Sequence, residues 1–248
     1  MPDPYELAPE PLTPALPGEV VLSESEEELI DAAASDLFLQ AMTCVRTFGD
    51  FHLAISGGRV QERLCMRLMV DPKFRSLPWT RTQLWLATQG AMPPEPAGTE
   101  IIDEVLRDFA GIPRSQIHHV PPGEAAHEDY ERQLLESLGW RERGHDRLDF
   151  VLASLDSDGS VAGIGSGEDL TGGRVVTVYQ GGGRGRRVAM TPWFVSGTRF
   201  LALLASGEDS RPLIARLASS AEDRRAFDEM IPINGVRRWY LDRVAAGL

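Results

Sequence analysis

Asp156-Ser157-Asp158-Gly159-Ser160 is the stretch of this chain whose residue types and setting best suit chemistry. It is an acidic, glycine-bearing turn that follows the apolar run Phe150-Val151-Leu152. In α/β proteins the turn beyond the carboxyl end of a strand is where ligands and catalytic groups collect. Asp156 and Asp158 place carboxylates in that turn, although Asp is also a common turn residue for its local hydrogen bonds. A second candidate, Ser56-Gly57-Gly58-Arg59, follows the apolar run Phe51 to Ile55. Glycines let backbone approach an anion, the N–H groups of a helix start can hold it, and Arg59 can add a charge-assisted contact. The plain alternative is a tight strand-to-helix turn with an exposed Arg. A third turn, Thr88-Gln89-Gly90, is polar but carries no charge.

Other suggestive residues do less. His118 and His119 are adjacent on an expected strand and so point to opposite faces, which is poor geometry for chelation. No metal and no cofactor is expected. Gly163-Ile164-Gly165-Ser166-Gly167 lacks the helix that a nucleophile elbow requires. The run 180–187, Gln-Gly-Gly-Gly-Arg-Gly-Arg-Arg, resembles a short nucleic-acid-binding tract. It lies between two expected strands without interleaved aromatics, which favours a loop. Arg184 and Arg186 from that loop can reach a neighbouring pocket. Cys44 and Cys65 sit in apolar helical patterns and are expected as buried free thiols.

Composition narrows the classes of partner. The net charge of −12 repels polyanions and argues against general nucleic-acid or anionic-membrane binding. No apolar run approaches the roughly 20 residues of a membrane span, and the first residues do not read as a signal peptide. A cytoplasmic protein is expected. Residues 1–18, rich in proline and acids, read as a mobile tail, and 19–248 as a single domain.

The elements that position these turns alternate in type. Gly18 to Leu22 predicts a first short strand, and Ser25 with Glu28 a capping box for the helix that follows. Further strands are expected at Phe51–Ile55, Gln83–Ala87, Ile117–Val120, Phe150–Leu152, Arg174–Tyr179, Arg187–Thr191 and Phe200–Ala205. Helices are expected after Gly58, at 99–109, at Glu124–Leu138, at Leu213–Leu217 and, closing the chain, at Val236–Ala246. This alternation predicts an α/β fold with a mostly parallel twisted sheet and helices on both faces.

In order and spacing, these landmarks resemble the 6-phosphogluconolactonase family within the glucosamine-6-phosphate isomerase group. That family has Ser-Gly-Gly-Ser-Thr-Pro where this chain has Ser56-Gly57-Gly58-Arg59-Val60-Gln61. Its Gly-Asp-Glu-Arg-x-Val-Pro-Pro corresponds to Ala87-Thr88-Gln89-Gly90 with Pro93-Pro94 downstream, and its Asp-Ser-Asn to Gly98-Thr99-Glu100. Its Gly-x-Asp-Gly-His corresponds to the turn containing Asp158, Gly159 and Ser160. A Lys in its Gly-x-x-Lys turn corresponds to Ser210, and its Arg-Val-Thr-Leu-Thr strand to Arg187–Thr191. Pro232 to Ala245 resembles its closing Trp-x-x-Asp-x-Ala helix.

The resemblance implies the family fold and a small sugar-phosphate ligand around Ser56, Gly57, Gly58, Arg59, Asp158 and Gly159. It also implies lost chemistry. A hydroxyl at Ser160 cannot act as general base near neutral pH as an imidazole does. Thr88, Gln89, Gly90 and Ser210 likewise remove charged groups. A sugar-phosphate-binding or regulatory homologue without lactonase activity is therefore expected. The competing expectation is a working hydrolase with relocated residues such as Arg59, Glu100, Arg184 or Arg186. No protein partner is indicated.

Overall fold

The computed structural model describes residues 13–90, 111–155, 173–181, 185–224, 228, 232 and 234–248. Seven strands form one parallel sheet: β1 (Glu19–Ser23), β2 (Phe51–Ile55), β3 (Thr82–Leu86), β5 (Ile117–His118), β6 (Phe150–Ala153), β9 (Phe200–Ala205) and β10 (Val236–Asp242). Their order across the sheet is β1-β10-β9-β6-β2-β3-β5, and every neighbouring pair is parallel. A separate antiparallel sheet, in the order β4-β8-β7, combines β4 (Thr88–Gly90), β7 (Val176–Gly181) and β8 (Gly185–Met190). The sequence pattern predicts β7 and β8 as strands, reads Thr88–Gly90 as a turn where the structure has strand β4, and does not show their segregation into a second sheet.

Strict alternation fills both faces of the large sheet. Leu53, Ile55, Leu84, Leu86, Phe150, Leu152, Ala202 and Tyr240 face one core, closed by α1 (Glu26–Phe48) and α2 (Arg59–Val70). Ala54, Trp85, Val151, Ala153, Leu201, Leu203 and Trp239 face the other. That side is closed by α3 (Ala126–Leu138), α4 (Arg211–Ser219) and the small sheet. Strands buried on both faces read as continuous apolar runs rather than as alternation.

That property explains the main correction. Val236–Ala246 is expected as a helix, because Val236, Trp239, Tyr240 and Val244 fall near helical spacing. Val236–Asp242 is instead a strand paired on both sides, with Trp239 in one core and Tyr240 in the other. Only Arg243–Ala246 is helical, a single turn capped by the Asp242 side chain. The strand expected at Ile117–Val120 shortens to Ile117–His118. The chain before β1 is docked over residues 13–18: Leu16 is buried, and the Pro17 carbonyl accepts from Trp239 Nε1 at 2.8 Å. The helix expected at 99–109 lies outside the described residues.

Helix α1 starts as its sequence predicts. Ser25 Oγ accepts from Glu28 N at 3.3 Å, and Glu28 Oε2 accepts from Glu24 N at 3.0 Å, one residue ahead of the usual capping-box donor. It stops at Gly49, whose φ of 91° few side chains tolerate. From α3, the Tyr130 hydroxyl accepts from Leu86 N at 2.8 Å and donates to Leu86 O at 2.9 Å. β5 pairs with β3 only at Leu84 and Trp85, so this one hydroxyl satisfies the backbone beyond the pairing.

The amino ends of the central strands are clamped by buried charge. Arg141 binds Asp50 Oδ1 through Nε at 3.0 Å and Asp149 through Nη1 at 3.0 Å and Nη2 at 2.8 Å. Arg199 Nε adds a 3.0 Å contact to Asp149, and Phe48 lies against both guanidinium groups, 5.0 and 4.4 Å from its centroid. His52 Nε2 lies 2.9 Å from Asp50 Oδ2, and its Nδ1 accepts from Trp85 Nε1 at 3.2 Å. Since indole N–H can only donate, this places the His52 proton on Nε2. The clamp closes the end of the sheet opposite the candidate site.

Candidate functional site

The strand order reverses direction between β2 and β6, so the crevice at the carboxyl ends of these strands is the topological switch point. Ser56 and Gln61 build its floor. Ser56 is buried; its Oγ donates to Leu152 O at 3.2 Å and accepts a short hydrogen bond from Ser154 N. Gln61 Nε2 donates to Ala153 O at 3.2 Å. Both side chains tie the turn after β2 to the end of β6. Gly58 has φ 154°, and a Cβ there would lie 2.4 Å from Gln61 Oε1, so the turn leaves little space for a side chain. Ser56, Gly58 and Arg59 therefore stand together at the switch point, while Asp156, Asp158, Gly159 and Ser160 lie outside the described residues.

Arg59, at the first position of α2, is 61% exposed and makes a fork with Glu26: Nη1 to Oε1 at 2.9 Å and Nη2 to Oε2 at 2.7 Å. Glu26 begins α1 and is 15% exposed. It also accepts hydrogen bonds from Arg63 Nη1 and from the hydroxyl of Ser206, the residue after β9. Hydrogen bonding to Arg59 is the main reason its carboxyl is held down at about 2; burial opposes this, and Ser206 and Arg63 assist. Ser206 Oγ also lies 2.7 Å from Asp242 Oδ2, so one hydroxyl hydrogen stands between two carboxylates. Asp242 fixes the turn further by accepting from Gly207 N at 3.0 Å and Ala245 N at 2.7 Å. Ser210 Oγ turns back to the Ser206 carbonyl at 2.9 Å.

The uncharged segment Thr88–Gly90 is strand β4, and its residues have their own partners. Thr88 is buried with its Oγ1 3.2 Å from the Tyr179 hydroxyl, and Arg187 Nε reaches that oxygen at 3.5 Å. Gln89 Oε1 accepts from Val120 N at 2.9 Å. Gly90 pairs in register with Arg187 across the small sheet. Arg187 therefore stands across the ladder from Gly90. Glu26, Ser206, Tyr179 and Arg187 were not among the residues expected at the site. Their signal is register and long-range contact, which one sequence does not display.

Other expected residues fall elsewhere. His118 stacks on Trp85 with ring centroids 3.7 Å apart, and its Nε2 lies 2.8 Å from Gln83 Oε1. It belongs to edge strand β5, away from the β2–β6 crevice. Cys44 and Cys65 are buried free thiols. Glu100 and Arg184 lie outside the described residues, and Arg186 pairs with Gln180 in the small sheet. Among the described residues, no cluster of His, Cys, Asp and Glu is arranged to hold a metal, and no helix is long and apolar enough to cross a membrane.

This crevice, on a seven-stranded parallel sheet with a small antiparallel sheet beside it, has relatives with assigned chemistry. The family model described as glucosamine-6-phosphate isomerases/6-phosphogluconolactonase matches residues 24–241. The chain belongs to that family. It is 26% identical over 234 residues to the human GDH/6PGL endoplasmic bifunctional protein, covering 90% of this chain and 29% of that one. The chain thus spans under a third of that relative's length. It is 21% identical to the 6-phosphogluconolactonase of Haemophilus influenzae, covering 79% of this chain and 87% of the relative. The crystal structure of 6-phosphogluconolactonase from Leishmania guyanensis superposes with a TM-score of 0.76 at 20% identity, covering 92% and 97% of the two chains. At that identity the superposition establishes the fold.

Proposed function

We propose that this chain is a sugar-phosphate-binding or regulatory member of its family that has lost lactone hydrolysis. The observation that carries this is the state of the positions where the family pattern has charges. Ser160 replaces the base, and Thr88, Gln89, Gly90 and Ser210 replace charged residues. Of these, Thr88 is bonded to Tyr179, Gln89 to the Val120 amide and Ser210 to the Ser206 carbonyl. Neutral hydroxyl and amide groups held in this way supply neither a charge nor a base that takes a proton near neutral pH. Losing a general base alone removes roughly 10²–10⁴ of rate.

What remains suits recognition. The rigid Ser56-to-Arg59 turn sits at the switch point, and Arg187 brings a cation beside Thr88. 6-Phosphogluconate, the product of the lactonase reaction, is the natural probe. It should raise the melting temperature of the full chain at millimolar concentration, and unphosphorylated gluconate should not. No shift with 6-phosphogluconate at 10 mM ligand (about tenfold above a millimolar Kd, worth about 1.4 kcal/mol) would leave no ligand-binding role for the crevice.

A further inference from the structure

Arg63 and Arg67 of α2 form a ladder of ion pairs with Glu27 and Asp31 of α1. Exposed pairs of this kind contribute little. Glu26 differs from its neighbours in the ladder. It is 15% exposed, whereas Glu27 is 53% and Asp31 39% exposed. Its partners also come from two places in the fold: Arg59 and Arg63 in the first turns of α2, and Ser206 in the turn after β9. Because β6 lies between β9 and β2, a group that touches both Ser206 and Arg59 spans the carboxyl end of β6. Glu26 thus holds its carboxylate across the crevice, inside a set of donors of the kind a phosphate or carboxylate would use.

We propose that Glu26 is an internal anion that occupies this crevice, so that an external anion binds only by displacing it from Arg59, Arg63 and Ser206. The inference rests on the assignment of this edge as the sugar-phosphate site and adds how the site is gated. A phosphate dianion suits the exchange better than a carboxylate, since it brings more charge and more acceptor oxygens to the same donors. Asp242 and Asp209, whose charges also act on Arg59, further disfavour a second anion while Glu26 is in place.

The test is calorimetric titration of wild type and Glu26→Gln with inorganic phosphate and with 6-phosphogluconate. Glu26→Asp is run in parallel, since it keeps the charge at the start of α1 on a side chain one methylene shorter. Glu26→Gln should bind both anions at least tenfold more tightly than wild type, with Glu26→Asp between them. Adding Arg59→Gln to Glu26→Gln should abolish the gain. Equal affinities in wild type and both Glu26 variants would overturn the gating and leave the sugar-phosphate assignment standing. A gain for inorganic phosphate, with 6-phosphogluconate bound by none of the proteins, would support the gating and overturn that assignment. Binding of neither anion by any variant would overturn both.

Discussion

Glu26 and His118 make the stability of this protein sensitive to acid over different ranges. Burial, helped by His52 and His119, pushes His118 down to about 4. The unfolded chain takes up that proton near pH 6.5, so the unfolded state binds more protons below this value and stability falls from about pH 6.5 to about pH 4. Glu26 is held below its ordinary value, so its contribution is present above about pH 4.5 and is lost as pH falls towards 2. Urea midpoints measured against pH should show the first decline in wild type and a flatter profile between pH 6.5 and 4.5 in His118→Gln. An unchanged slope in the variant would assign the decline to other groups. The thiols make a simpler prediction. Burial pushes Cys44 and Cys65 up to about 12, so native protein should resist maleimide labelling while urea-unfolded protein labels at both. Rapid native labelling of either would contradict their burial.

At the scale of elements, removing single polar groups should be costly where one group serves several partners. Tyr130→Phe leaves the amide and carbonyl of Leu86 without their shared hydroxyl and should cost about 1–3 kcal/mol in chemical denaturation. Arg141→Met removes the guanidinium that joins buried Asp50 to Asp149, leaving them only Arg199 and His52, and should cost about 3–5 kcal/mol. Losses below about 0.5 kcal/mol would show that water or rearrangement replaces these bonds. The strand–turn–helix units were legible because apolar runs end in glycine or polar turns, as at Ile55-Ser56-Gly57. β10 was misread because a strand buried on both faces presents Trp239 and Tyr240 side by side and mimics a helical stripe. The small sheet was not legible because β4 is three residues long and pairs with β8, about a hundred positions away. The clamp joins Asp50 to Arg141 and Asp149, a union that follows from topology and leaves no local pattern. At the site, Ser56 and Gly58 were legible as a turn; the Glu26–Arg59–Ser206 contact depends on three distant elements and was not.

At the scale of the whole molecule, the chain has the architecture of its family. The family match over residues 24–241 and the Leishmania guyanensis superposition establish the scaffold, which the order of landmarks already suggested. The net charge of −12 makes the molecule unfavourable to anions at long range, so any phosphate specificity has to be local. Around Arg59 that local positive charge is offset by Glu26. The resemblance sets Ser160 where the family pattern has its base, and in the structure Thr88, Gln89 and Ser210 are hydrogen-bonded to internal partners. The most direct measurement is hydrolysis of 6-phosphogluconolactone by the purified full chain, corrected for spontaneous opening of the lactone. The account predicts a corrected rate at least about 10²-fold below that of an ordinary enzyme. Turnover near the common enzyme value of about 10 s⁻¹ would contradict it and move the catalytic role to residues outside the family's pattern.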